Sequence, residues 1–250
     1  MANLKEVISD IVKHTVVGDI QVARLSHDAN NIQVDAIIKD VVVVKGKIHD
    51  PVMEINQDLG LGNLSFLKSI VNLPNYKDGG GHVTVGYKEK SPQEVEHLLF
   101  KDDEGNTDIY RFMSRMALDS AMPTTPKFKG VEWDVTISPT KQNVSVMSTM
   151  ATIYGGIEPN FTLAVESGDL ICYVVGQQGA FRGKRLLSKN VTGTLKASHR
   201  WPLATVLQIL NLGMGSSACT MHVSDVGALM ISVDSGVGKY DYIILAQSND

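Results

Sequence analysis

The sequence predicts an α+β fold, rich in antiparallel sheet and made of one module used twice. Three observations carry that expectation. A faint repeat runs at an offset of 139, which sets Gly62 over Trp201 and Leu73 over Leu212; both copies share the skeleton Leu-x-x-(Leu/Val)-x-x-Ile-(Val/Leu)-Asn-Leu. The same offset places Val7, Ile8, Ile11 and Val12 on Val146, Met147, Met150 and Ala151, again at helical spacing. In both halves glycines follow the Asn-Leu segment, first Gly79, Gly80 and Gly81, then Gly213 and Gly215, and an alternating strand comes next, over 82–87 or 219–224.

Along the chain, the first helix is expected over 3–14, with Val7, Ile8, Ile11 and Val12 inward and Lys5, Glu6, Asp10 and Lys13 outward. Short apolar runs predict strands over 20–25, 32–38, 41–48 and 52–56. A helix over 63–73 buries Leu64, Phe66, Leu67, Ile70 and Val71 and shows Ser65, Lys68, Ser69 and Asn72. After 82–87 come strands over 95–100 and 107–113, joined by the turn residues Asp102-Asp103-Glu104-Gly105-Asn106. Residues 118–130 hold two prolines, no period and a closing glycine, and read as a connector between domains over 1–117 and 131–250.

Beyond the connector, a strand over 131–137 leads to a helix over 141–154. Its period turns Val146, Met147, Met150, Ile153 and Tyr154 inward and Lys141, Ser145, Ser148 and Thr152 outward. Strands over 161–166 and 170–175 flank the turn Ser167-Gly168-Asp169. The last helix, over 200–212, buries Leu203, Val206, Leu207, Ile209 and Leu210 and shows Arg200, Ala204, Thr205, Gln208 and Asn211. Strands over 219–224, 229–233 and 240–246 complete the second copy.

Composition narrows the class. The 250 residues are 43% hydrophobic and 20% charged, enough for one large core or two ordinary ones. No apolar run approaches the roughly 20 residues that cross a bilayer, and the charged start Met1-Ala2-Asn3-Leu4-Lys5-Glu6 lacks a secretory apolar stretch, so an intracellular protein is expected. The sequons at Asn63, Asn143, Asn160 and Asn190 are then irrelevant. Cys172 and Cys219 make neither a disulfide framework nor a four-thiolate zinc site. A net charge of -4, with no run of five like charges, does not suggest a generic nucleic-acid binder.

Charge is nevertheless distributed unevenly. The helices over 63–73, 141–154 and 200–212 contain no Asp or Glu, where about four acids would be expected at the chain's average content. One explanation is half-buried helices whose outer faces are small and polar. The other is that acid is kept away from a passing polyanion, with hydroxyls, amides and spaced cations meeting phosphate without reading sequence.

Catalytic motifs are missing. Gly60-Leu61-Gly62 and Gly79-Gly80-Gly81 lack the rest of a phosphate loop or dinucleotide fingerprint, and the seven histidines show no metal-ligand spacing. No GxSxG occurs, and Asp102-Asp103-Glu104 sits in an ordinary turn. No enzyme activity, metal or cofactor is expected.

Two repeated modules of this kind, joined by a proline-containing connector, resemble the DNA polymerase sliding clamps, and within that superfamily the processivity factors of T-even-type bacteriophages. The resemblance covers most of the chain. It rests on Val7-Ile8-Ser9-Asp10-Ile11-Val12-Lys13, on Phe66-Leu67-Lys68-Ser69-Ile70-Val71, and on the ordered ending 203–212, Ala228-Leu229-Met230-Ile231-Ser232-Val233 and Tyr240-Asp241-Tyr242-Ile243-Ile244-Leu245-Ala246. It implies antiparallel outer sheets and helices lining the hole of a homotrimeric ring, with duplex DNA sliding through. Lys68, Lys141 and Arg200 would line the hole with Lys5, Lys13 and Lys77, although the first helix also carries acids. Residues 107–113 of one subunit would lie near 180–187 of the next. The segment 88–106 is longer than the family's equivalent.

The resemblance also implies a groove for partner peptides, formed by Leu118, Met122, Pro123 and Phe128 of the connector with Leu245 and Ala246 near the carboxyl end. Its partners would be the replicative DNA polymerase and the clamp-loader ATPase, in the cytoplasm of an infected host cell. The rival class is a ring-forming structural virion or tail protein.

Overall fold

A computed structural model describes residues 3–28, 31–50, 52, 54–77, 80–122 and 130–247. The internal repeat is a repeat of structure. The first copy runs α1 (Leu4–Thr15), β1 (Val22–Asp28), β2 (Asn31–Ile38), β3 (Val42–Ile48), β4 (Leu59–Gly62), α2 (Leu64–Val71), β5 (His82–Lys88), β6 (Ser91–Lys101) and β7 (Thr107–Arg111). After α3 (Arg115–Ala121) and β8 (Val135–Ile137) the same order returns. It runs α4 (Lys141–Tyr154), β9 (Asn160–Glu166), β10 (Asp169–Val175), β11 (Arg182–Ser188), β12 (Trp201–Pro202), α5 (Leu203–Gly213), β13 (Ala218–Val223), β14 (Ala228–Asp234) and β15 (Gly238–Leu245). Both copies thus read helix, four strands, helix, three strands.

Strand order repeats as well. Four strands lie in the order β4-β1-β2-β3 in the first copy and β12-β9-β10-β11 in the second, and the three-stranded groups are β5-β6-β7 and β13-β14-β15, with β8 added beside β13. All pairings with a described register are antiparallel.

The chain divides into two compact units that each contain a short segment from elsewhere. One comprises Met1–Ile37, Val44–Pro126 and Gly236–Tyr240; the other comprises Ile38–Val43, Lys127–Ser235 and Asp241–Asp250. In the first unit, Ala23 and Leu25 of β1, Val34 and Ala36 of β2 and Val44 and Ile48 of β3 alternate inward, each at most 1% exposed. Val7, Ile8, Ile11 and Val12 of α1 and Leu64, Leu67 and Ile70 of α2 are buried, and the two helices pack together. In the second unit Met147 and Met150 of α4 and Leu203, Val206 and Ile209 of α5 take the equivalent buried positions. The repeat is therefore a repeat of core contacts.

Helix starts follow from local chemistry. Asn3 and Glu6 form a capping box on α1, with the Glu6 N–H donating to Asn3 Oδ1 at 2.9 Å and the Asn3 N–H to Glu6 Oε2 at 2.9 Å. α4 begins with the neutral version, Thr140 and Asn143, and the Asn143 amide also donates to the Leu187 carbonyl of β11.

Some expected elements differ. Of the expected strand over 52–56, the described residues 52 and 54–56 are in no strand: Val52 and Ile55 are buried, and the Ile55 N–H donates to Val52 O at 3.0 Å. Phe66 and Ile153, expected inside, are 48% and 50% exposed, because α2 and α4 turn their buried stripes onto Leu64, Leu67 and Ile70 and onto Val144, Met147 and Met150. The last helix starts at Leu203, since Trp201 and Pro202 pair with β9. The long segment 88–106 is a hairpin, with β6 extended to eleven residues.

Within the first unit Tyr240 is the deepest guest. Its ring is 0% exposed and stacks on His14 at 4.2 Å and 6°, and its hydroxyl donates to Asp10 Oδ2 at 2.8 Å. Gly46 makes the room, because a Cβ there would stand 2.8 Å from the tyrosine ring. Burial, helped by neighbouring Lys13, pushes the His14 imidazole down to about 4, even with Asp10 Oδ1 3.6 Å away. A histidine held neutral in the fold but free to protonate when unfolded contributes stability that is complete above about pH 6.5 and is lost as pH falls toward 4. Chemical unfolding between pH 7 and pH 4 should show this loss, about 3 kcal/mol, as the difference between the parent and His14→Phe. Equal pH slopes would show that His14 does not titrate this way. Gly46→Ala should cost about 1–3 kcal/mol in the same measurement.

Candidate nucleic-acid interface

The helix faces begin with α1, the helix of mixed charge. Both of its acids are occupied: Glu6 closes the capping box and Asp10 receives the Tyr240 hydroxyl. Lys13 in the last turn stays exposed, whereas Lys5 is half-buried with its ammonium on the Gly80 carbonyl. On α2, Ser65, Phe66, Lys68 and Ser69 face outward, and Lys77 is exposed shortly beyond the helix. The first unit thus leaves Lys13, Lys68 and Lys77 as exposed cations on or just beyond α1 and α2.

In the second unit α4 exposes Lys141, Gln142, Ser145, Ser148, Thr149 and Thr152, and α5 exposes Ala204, Gln208 and Asn211. No acid stands in the first turn of α2, α4 or α5, so the partial positive charge at these helix starts has no local carboxylate to offset it. Lys141 adds its charge to the start of α4.

Many of the polar groups on these faces are already satisfied. Ser69 Oγ donates to Ser65 O at 3.0 Å, Thr149 Oγ1 to Ser145 O at 2.9 Å, Thr152 Oγ1 to Ser148 O at 3.0 Å and Asn72 Nδ2 to Lys68 O at 2.7 Å. Such groups make a surface that neither repels an anion nor grips it. Among the described residues of these faces, the exposed positive charge is carried by Lys13, Lys68, Lys77 and Lys141.

Arg200 stands apart. It lies outside α5, and Nη2 donates to Glu158 Oε1 at 2.6 Å, while its carbonyl accepts from the Gln247 N–H at 2.8 Å. Glu158 is 5% exposed, so the guanidinium neutralises a buried carboxylate. Periodicity placed Arg200 on a helix face; an acid 42 positions away placed it elsewhere.

The connector residues also move inward. Leu118 and Met122 were expected to be exposed, yet each is 3% exposed. The cause is α3, which packs on β4 where Gly60 leaves space, with Leu118 methyls 3.1 Å from the position of a Gly60 Cβ. Arg24 holds the end of this helix, donating to Asp119 Oδ1 at 2.8 Å and to the Met122 carbonyl at 3.0 Å. Pro123 and Phe128 lie outside the described residues. Near the carboxyl end Leu245 is 43% exposed and Ala246 is half-buried, its N–H donating to Gly227 O at 2.9 Å. Val226, beside Gly227, is 72% exposed; sequence reading missed it, and an apolar residue inside the turn Ser224-Asp225-Val226-Gly227 was the available signal.

Among the described residues no three His, Cys, Asp or Glu side chains are placed to hold a metal ion. Burial pushes the Cys172 thiol up to about 12 and the Cys219 thiol up to about 11, so neither is a thiolate at neutral pH. No helix among the described residues is long and apolar enough to cross a membrane.

No protein-family model matches the chain, and no curated protein sequence matches it. Solved structures do. A chain in the structure of the C-terminal region of FEN-1 bound to A. fulgidus PCNA aligns with 98% of this chain and 96% of its own length, at a TM-score of 0.71 and 11% identity. PCNA from Thermococcus kodakaraensis aligns over 99% of this chain and 98% of its own, at a TM-score of 0.69 and 12% identity. The chain has the fold of PCNA-type sliding clamps.

The different positions of the cations have a measurable consequence. Arg200→Ala should lower stability by about 2 kcal/mol, because it leaves the Glu158 charge buried without its partner. Lys68→Ala and Lys141→Ala should stay within about 0.5 kcal/mol of the parent. Urea unfolding measures all three, and a neutral Arg200→Ala would mean the ion pair adds nothing.

Proposed function

We propose that this chain is a sliding clamp, a processivity factor that encircles duplex DNA without reading its sequence and tethers the replicative DNA polymerase. One observation carries the proposal. In a chain of net charge -4, α2, α4 and α5 are free of acid, and the two acids of α1 are engaged in a cap and in a bond to Tyr240. Lys13, Lys68, Lys77 and Lys141 would line the hole. Lys5, tied to the Gly80 carbonyl, would add positive potential without a mobile contact, whereas Arg200 is cancelled by Glu158. A few lysines per copy favour weak, sliding contact, and retention comes from encirclement.

The sheet edges supply a reason for a ring. β3, outermost of its four strands, has β15 of the second copy as a further neighbour, while its equivalent β11 and the equivalent of β15, β7, have no second strand among the described residues. Exposed Ile109 on β7 and Leu186 on β11 add apolar surface at these edges. A second copy of the chain would pair them head to tail and remove both open edges on closure. Three copies is the number that the resemblance implies.

Partners would dock through peptides. The A. fulgidus PCNA structure contains a C-terminal region of FEN-1, and a similar role here would use Leu245, Ala246 and Val226 for segments of the polymerase or of the clamp-loader ATPase. Leu118 and Met122, each 3% exposed, would offer no surface of their own to such a peptide.

Two experiments address these roles. Lys13, Lys68 and Lys141 reversed to Glu should reduce polymerase processivity on primed circular DNA by about tenfold or more while the particle mass stays that of the parent. Processivity equal to the parent's would remove these lysines from the lining. Val226→Asp with Leu245→Asp should weaken binding of a polymerase carboxyl-terminal peptide by about tenfold or more in calorimetry, and unchanged binding would move the peptide site elsewhere.

A further inference from the structure

We propose that the junction between copies is a charge seam, in which Lys189 of one copy faces Asp103 and Glu104 of the next. The proposal rests on the ring described above and adds which residues meet and what holds them. The pairing direction can be taken from inside the chain. In the first unit the end of β3 lies beside the start of β15, with the His49 N–H donating to Val237 O at 2.9 Å. In the second unit the start of β3 lies beside the end of β15, with the Leu245 N–H donating to Val41 O at 3.3 Å. Applied to the equivalents, this sets the end of β11 against the start of β7.

At that end the charges are opposite and unspent. The β6–β7 hairpin presents Asp103 and Glu104, both exposed, and Lys189, also exposed, stands just past the end of β11; none of the three has an ion pair among the described residues. The hairpin is built before any partner arrives. Asp102, 4% exposed, accepts from the Asn106 N–H and Nδ2 at 2.7 Å each, from the Glu104 N–H at 3.0 Å and from Asn75 Nδ2 at 2.6 Å.

At the other end the charges are alike and already answered. Arg182 lies 4.5 Å over the Tyr173 ring, Lys184 donates to Glu166 Oε2 at 2.6 Å, and Arg111 of β7 pairs with Glu96 at 2.7 Å. Like charges are neutralised within the chain where copies would repel, and opposite charges are left open where they would attract. The corresponding strands inside the chain need no such device, since Val42, Val44, Tyr242, Ile243 and Ile244 are all buried.

Light-scattering mass tests this on the full chain. Between about 0.1 M and about 1 M NaCl the screening length falls from about 10 Å to about 3 Å, and the concentration at which the ring dissociates should rise about tenfold or more. Asp103→Lys with Glu104→Lys should give monomers at about 0.1 M salt, as should Lys189→Glu, and all three changes in one chain should restore the ring mass. That restoration also shows the variants are folded. A parent ring whose mass resists salt and both variants overturns the seam and leaves the ring standing. A parent chain that stays monomeric at low salt and high concentration overturns both.

Discussion

The space beside Gly46 is the constraint on which the first unit depends. Tyr240 fills it, stacked on His14 and bonded to Asp10, and no residue with a Cβ at position 46 would leave room for the ring. A residue near the end of the chain thereby completes a core begun by the first helix, so this unit reaches its native packing only when the last strand arrives. The same bond acts on the surface. By receiving the tyrosine hydroxyl, Asp10 turns away from the outer face of α1, and the helix of mixed charge comes to resemble its acid-free counterparts.

Duplication explains both what the chain pairs and what it leaves open. Each copy ends its four-stranded set on an equivalent strand, but β3 finds a further neighbour in β15 while β11 finds none among the described residues. The apolar version of the edge is used internally, where β15 is rich in buried side chains. The edge carrying Arg182, Lys184 and Arg185 is the exposed one. Charged edge strands resist indiscriminate pairing and still accept a partner of matching charge.

Several of the chain's acids are engaged in structure. Asp102 organises a hairpin, Glu158 anchors Arg200, and Glu166 gathers Lys184 and Tyr173 at the surface. Asp225 accepts from the backbone N–H groups of Lys196 and Ala197, which holds its carboxyl below the usual range.

The sequence by itself determined the repeat, the sheet-rich class, three helices without acid and the lack of a catalytic motif, because hydrophobic period and composition are properties of near neighbours. It read α4 to its boundaries, and it missed β4 and β11, where glycines or charges mask the alternation of Leu59–Gly62 and Arg182–Ser188. Of the exposed cations proposed for the lining, Lys68 and Lys141 were legible from helical spacing alone. Only tertiary structure decided that Arg200 belongs to Glu158, that Leu118 and Met122 are interior, and that Asp10 is withdrawn from its helix face. Each of those outcomes depends on a partner far along the chain, up to 230 positions in the case of Tyr240 and Asp10, and no local pattern encodes such a distance.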